Sequence, residues 1–296
     1  MKKDKTLYLC ISLFYHREFW HKLLIEGISP FLSEQKNGIK GYYISLSHLR
    51  GDHIRLSLIT EKSNAKTVAR KADAYFKTYF KNYPSPNLND LKREGSIFLD
   101  FQNNTVHYGV YNFSVGTDDM ALSELFKDYQ ENLTKVLLEV FQFYKEETLH
   151  NMVEIMIQCY AIFRNSASLD IGKTLEFFDA LLQEEYVKYN DKALSRILEV
   201  NKSNFESNKT FIIEHLAENI EKSNKGYDEK WENSWSNTVK VLSENVSKSS
   251  FKKEEHRVHI HMLKQLNDTF DINDRITAYY LFYNGLKAIQ NTSTHP

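Results

Sequence analysis

41-GYYISLSHLRGDHIRLSLIT-60 places two runs of alternating, β-branched and aromatic residues on either side of Arg50-Gly51-Asp52. Glycine beside a charged pair is turn chemistry, so the stretch predicts a β-hairpin. Alternation along its second strand puts His53, Arg55 and Ser57 on one face and Ile54, Leu56 and Leu58 on the other. The apolar face must sit on a core, which leaves the polar face for solvent or a cleft. An ordinary half-exposed strand carries the same pattern. A functional strand would use the planar donor fork of Arg55 to hold an anion or a carbonyl oxygen.

Working outward, residues 6–14 (TLYLCISLF) predict another strand. Residues 16–29 carry Phe19, Leu23, Leu24 and Ile28 at helical spacing and stop before Pro30. Residues 63–82 predict a helix with Ala65, Val68, Ala72, Phe76 and Phe80 on one face, followed by a Pro/Asn loop. SIFLDF (96–101) and TVHYGVYNF (105–113) predict two further strands. From residue 117 the character changes: Thr117, Asp118 and Asp119 are good opening residues for a long helix. Helices are then expected at about 148–164, 170–189, 207–223, 230–266 and 272–290. The expected class is α+β: a mixed α/β part with antiparallel strands over 1–116, then a mostly helical part over 117–296.

The whole has 296 residues, 42% of them hydrophobic and 14% aromatic, enough for a sizeable core. Lys+Arg (38) and Asp+Glu (39) nearly cancel to a net charge of −1, which gives no general attraction to nucleic acid or to an anionic membrane surface. No run approaches the ~18 apolar residues of a membrane span, and no small-residue cleavage site follows the first strand, so a cytoplasmic protein is expected. Cys10 and Cys159 lie in apolar runs without CxxC spacing and read as buried free thiols. There is no P-loop, GxGxxG or GxSxG, so nucleotide, dinucleotide and hydrolase readings find no support.

Two more clusters carry polar chemistry. In Val106-His107-Tyr108-Gly109-Val110, a mid-strand glycine marks a bulge or a close backbone approach. HRVHIHML brings His256, His259 and His261; the first two, at i,i+3, can share a helix face, while His259 and His261 cannot. No HExxH or cysteine accompanies them, so no metal is expected, and one imidazole near a cleft serves better as a proton carrier.

These clusters, in this order, resemble the small C-terminal domain of class I lantibiotic dehydratases, the thiopeptide-type bacteriocin biosynthesis family. Tyr42-Tyr43-Ile44 with His53-Ile54-Arg55-Leu56 is similar to that family's "WFFxRYxDPxxHLRLR". Val106-His107-Tyr108-Gly109 resembles "ExxRYGG", Leu122-Ser123-Glu124-Leu125-Phe126-Lys127-Asp128 resembles "AExLFxxDS", and His259-Ile260-His261 resembles "HxHxNR". The likeness runs over roughly residues 6–290 and implies a single small-domain-like unit over 1–296 that acts on a leader-bearing precursor peptide without a cofactor. It implies other enzymes of the pathway as partners, leaves a homodimer open, and calls for no nucleic acid and no membrane.

In the dehydratases this domain eliminates glutamate from glutamylated Ser/Thr. The residues assigned to that step fall here on Ser57, Asn104, His107 and His259, of which only His259 keeps the family's residue. Each lost charge-assisted contact costs about 1.5–3 kcal/mol, so elimination should be impaired. Free-standing relatives with this departure include thiopeptide pyridine synthases, which join two dehydroalanines by a formal aza-[4+2] cycloaddition and then lose water and the leader. The resemblance thus implies a catalytic set of His259, His53, Arg55, Tyr108 and His107, with Ser57, Tyr43 and His261 toward the substrate. A glutamate-eliminating subunit of a split dehydratase and a non-catalytic peptide-binding subunit are the alternatives.

Overall fold

The structure, a computed structural model, describes residues 6–86, 100–109, 120–272 and 274–293. It forms two compact units: residues 1–149 with 268–271, and residues 150–267 with 272–296.

The first unit is built on a four-stranded antiparallel sheet of order β2-β3-β1-β4, with β1 Thr6–Phe14, β2 Gly41–Ser47, β3 His53–Glu61 and β4 Thr105–Gly109. The expected hairpin is β2–β3, and its register pairs Ser45 with Arg55 and Tyr43 with Ser57. β1 lies at the centre, pairing Ser12 with both Arg55 and His107. One face carries Ile11, Leu13, Ile44, Leu46, Ile54, Leu56 and Leu58, all buried. Helix α3 (Lys62–Asn82) packs against β1, β3 and β4. Its Val68, Ala72, Phe76 and Phe80 are buried as the periodicity predicts, and Phe76 meets Phe31 at 5.0 Å.

Three expectations are corrected here. The helix over 16–29 does not stop at Pro30. Arg17–Phe19 is a 3₁₀ turn, Trp20–Lys22 (α1) is α-helical, Leu23–Ile28 is a π-turn, and Ser29–Gln35 (α2) continues beyond the proline. The wider turn, in which Ser29 N–H reaches Leu24 C=O, reduces the conflict that a proline ring creates inside a regular helix. The helix expected over 207–223 starts sixteen residues earlier, as α7 (Asp191–Lys225). Its buried stripe includes Asn201 beside Phe205, Ile212 and Leu216; Asn201 Oδ1 accepts from Thr277 Oγ1, so a polar residue occupies a core position. The single helix expected over 230–266 is instead α8 (Lys230–Ser247), a 3₁₀ turn and α9 (Glu255–Thr269). Ser249 makes the break: its Oγ accepts from Phe251 N–H and donates to Val246 C=O.

Helix α4 (Met120–Tyr144) runs beside β2, where Thr134 Oγ1 accepts the Ile44 backbone N–H. It thereby satisfies a donor on an edge strand. So α4 groups with the sheet, although the composition turns helical near 117. The expected strand over 96–101 lies, but for Asp100 and Phe101, outside the described residues. So do residues 110–113 and the opening residues Thr117, Asp118 and Asp119.

The second unit is helical: α5 (Met152–Ser166), α6 (Ile171–Tyr186), α7, α8, α9 and α10 (Arg275–Ser293). Helix α5 is buried from Ile155 to Phe163 and packs against α7, α8 and α10. Two polar contacts tie it to its neighbours: Trp235 Nε1 donates to Cys159 C=O, and Tyr160 O–H donates to Asn267. Asp170 and Asn190 cap α6 and α7, as the N-cap preference requires. Both cysteines are buried. Among the described residues no helix is long and apolar enough to cross a membrane.

Candidate functional site

The second face of the sheet is where polar residues gather. Strand alternation brings Ser12, Phe14, His53, Arg55, Ser57, Thr105 and His107 to it. This face is not the solvent-facing one that alternation alone allowed: Ser12, His53 and Ser57 are buried, with His53 only 2% exposed, while Arg55 and His107 are half-buried.

His53 and Arg55 form a defined pair. The His53 Nδ1–H donates to Gly51 C=O at 2.8 Å, so Nε2 is the acceptor and takes the Arg55 Nε–H at 3.3 Å. Burial, with the Arg55 charge against it, pushes the His53 pKa down to about 4, although the Gly51 hydrogen bond works the other way. A neutral ring is the form that can accept from a guanidinium. The ring also stacks on Phe14 at 4.5 Å.

Phe14 continues the floor toward β4. Phe101 lies 4.8 Å from Phe14 and 4.3 Å from the His107 ring, which meets Phe14 edge-on at 5.3 Å. His107 Nε2 lies 3.1 Å from Thr105 Oγ1, whose own hydrogen goes to Gln102 C=O. His107 therefore carries its proton on Nε2 and presents Nδ1 as the acceptor. Burial first, and then the charge of Arg50, lower its pKa.

Arg50 is a residue that sequence reasoning passed over. Its guanidinium lies 4.3 Å over the Phe101 ring, and its backbone adopts φ +62 within a turn that also has Gly51 at φ +110. Glycine tolerates that region and arginine does not favour it, so the turn stores strain beside the site. The only sequence signal was the Arg50-Gly51-Asp52 turn itself.

The other expected residues are placed as follows. Ser57 donates its hydroxyl to Cys10 Sγ at 3.2 Å and is buried. Tyr43, opposite Ser57, is buried and stacks with Tyr8 at 6.4 Å; burial, then Tyr8 and the carboxylates Glu131 and Asp128, raise its pKa. Tyr108 departs from the set. It pairs with Ile11, faces the α3 side, and donates to Ala69 C=O at 3.2 Å. Strand alternation separates it from His107, so the two do not line one surface.

In the helical unit, His259 is 2% exposed, its edge against Phe163 at 5.5 Å and its Nε2 3.3 Å from Ser243 Oγ. Burial, then His256, lower its pKa to about 4. His261 is half-buried, with Nε2 2.9 Å from Gln265 Nε2 one turn on, and His256 is exposed, its ring against Phe177. Among the described residues no group of three His, Cys, Asp or Glu could hold a metal ion.

The fold of this chain has solved counterparts. The pyridine synthase TbtD, from thiomuracin biosynthesis, superimposes with a TM-score of 0.75 at 13% identity, covering 98% of this chain and 99% of that one. TsrL matches with a TM-score of 0.64 at 10% identity, covering 97% and 96%. The tRNA-dependent lantibiotic dehydratase MibB from Microbispora sp. 107891 matches with a TM-score of 0.58 at 10% identity; the match covers 97% of this chain but 28% of that protein. No curated protein matches at the level of sequence. The family model described as "Lantibiotic biosynthesis dehydratase C-term" matches residues 9–284, the span that holds the sheet, the His53–Arg55 pair and the His259 helix. A match over that much of its length makes the chain a member of the lantibiotic dehydratase C-terminal family.

Proposed function

We propose that this protein modifies a leader-bearing ribosomal peptide and closes a pyridine ring from two dehydroalanines. The single observation that carries the reading is the hydrogen-bonded His53–Arg55 pair beside His107 on an aromatic floor. The full-length likeness to a pyridine synthase supports it.

The reaction asks for three things. Two dehydroalanines must be held together, an entropic task suited to the flat Phe14 and Phe101 surface. One amide must pass its N–H proton to its own oxygen, giving an iminol; a guanidinium fork directed at that oxygen stabilises the developing charge, which is the role of Arg55. Two carbon–carbon bonds then form. The former amide oxygen leaves as water, and the leader leaves on its nitrogen, each needing a proton. His107, with a proton on Nε2 and an acceptor at Nδ1, can take one and return one. His53, locked neutral, orients Arg55. Ser57 and His107 replace two arginines that glutamate elimination would use, which argues against the eliminase alternative.

Incubation with a linear, azole-containing peptide bearing two dehydroalanines and its leader is expected to release intact leader, with a new pyridine absorbance and a matching product mass. Glutamate loss from a glutamylated peptide, with the first substrate untouched, would replace this reading with the eliminase. Inertness toward both would leave a peptide-binding subunit.

A further inference from the structure

The 48–52 turn supplies the carbonyl that fixes His53, and it is strained at Arg50. Something must hold it. Tyr15 N–H donates to Asp52 C=O at 3.1 Å, Phe101 N–H to Arg50 C=O at 2.9 Å, and Gly51 N–H to His48 C=O at 3.3 Å. The side chains converge on His48. Its Nδ1 lies 2.8 Å from Asp52 Oδ1, and its Nε2 lies 3.2 Å from Asp271 Oδ2, in the 268–271 segment of the same unit. Its ring stacks on the Trp20 indole at 5.3 Å, and that indole is anchored by its own N–H to Tyr15 C=O.

We propose that His48 is a positioning residue: clamped between Asp52 and Asp271, it holds the turn so that the Gly51 carbonyl fixes the tautomer of His53, and through it the orientation of Arg55. For its effect on turnover the proposal rests on the reading of this face as the reaction site; for its effect on His53 it does not.

Both ring nitrogens of His48 face carboxylate oxygens: Nδ1 is hydrogen-bonded to Asp52 Oδ1, while Nε2 lies beside Asp271 Oδ2 without hydrogen-bond geometry. The charged and titratable groups around it are Asp52 and Arg17, whose backbone N–H also reaches Asp52 Oδ2, then Asp271, and His53 on β3. Removal of the His48–Asp52 hydrogen bond loosens one side of the clamp. If the Gly51 carbonyl then swings away, His53 can move its hydrogen to Nε2. In that form it faces the Arg55 Nε–H with a second donor, and the pair separates.

Long-range proton–nitrogen NMR of the full chain reads the tautomers directly. Expected is a His53 ring protonated at Nδ1 in the unaltered protein. His48→Gln and the milder Asp52→Asn should lose that preference. In the cyclisation assay both variants should lower kcat about a hundredfold with KM nearly unchanged. A His53 tautomer that stays at Nδ1 in both His48→Gln and Asp52→Asn would overturn the proposal. If no substrate is turned over at all, the function fails while the NMR result still decides the role of His48.

Discussion

Arg55→Ala is expected to lower kcat for ring closure by about 10²–10³, the usual effect of removing one preorganised donor from a developing oxyanion. The loss is expected to fall on kcat because the donor acts where charge develops in the transition state. Arg55→Lys keeps the charge but not the fork, and it cannot donate a fixed Nε–H to His53 Nε2. It is therefore expected to recover only a small part of the loss. The check is steady-state kinetics on the bis-dehydroalanine peptide, with leader affinity measured separately. Full activity in Arg55→Ala would remove the guanidinium from the mechanism.

The second large effect is on stability in acid. His53 and His259 are buried and hold pKa values of about 4, against 6.5 for an exposed ring. Burial is the main cause in both; Arg55 adds to it at His53 and His256 at His259. The unfolded chain takes up these protons first, so acid favours unfolding. Above about pH 6.5 both rings are neutral in both states and contribute nothing. Stability falls as pH drops from 6.5 toward 4. At 1.36 kcal/mol per pKa unit, each ring costs its own unit about 3 kcal/mol by the bottom of that window. Thermal melts at pH 7, 5.5 and 4 check this, followed by the fluorescence of Trp20 for the sheet unit and of Trp231 and Trp235 for the helical one. His259→Asn should flatten the acid response of the helical unit and leave that of the sheet unit in place. A pH-independent melting temperature over this range would contradict the buried neutral rings.

Much of the sheet was legible. The alternation of 53–58 fixed which side chains share a face, and the observed register keeps His53, Arg55 and Ser57 together. The same alternation already set Tyr108 opposite His107; grouping them in one cleft followed motif order rather than geometry. What alternation does not give is burial, so it leaves solvent and cleft both open for the polar face, whereas His53 and Ser57 are enclosed. Arg50 and His48 were missed for a related reason. Their partners, Phe101 and Asp271, come from distant segments, and local pattern carries no trace of such approaches. In the helical unit, the buried stripe of α7 also includes Asn219, and the part of α7 before residue 207, left out of the expected helix, contains Asn201. Its hydrogen bond to Thr277 is what lets it occupy the core.

The central claim is that the reacting peptide sits on the polar face of the sheet. A bis-dehydroalanine substrate carrying a photoreactive group beside one dehydroalanine tests this most directly, with the cross-linked residue located by mass spectrometry. The account predicts attachment among Phe14, His53, Arg55, Phe101 and His107. Attachment confined to Tyr108 and the exposed side of α3, across the sheet, would contradict it.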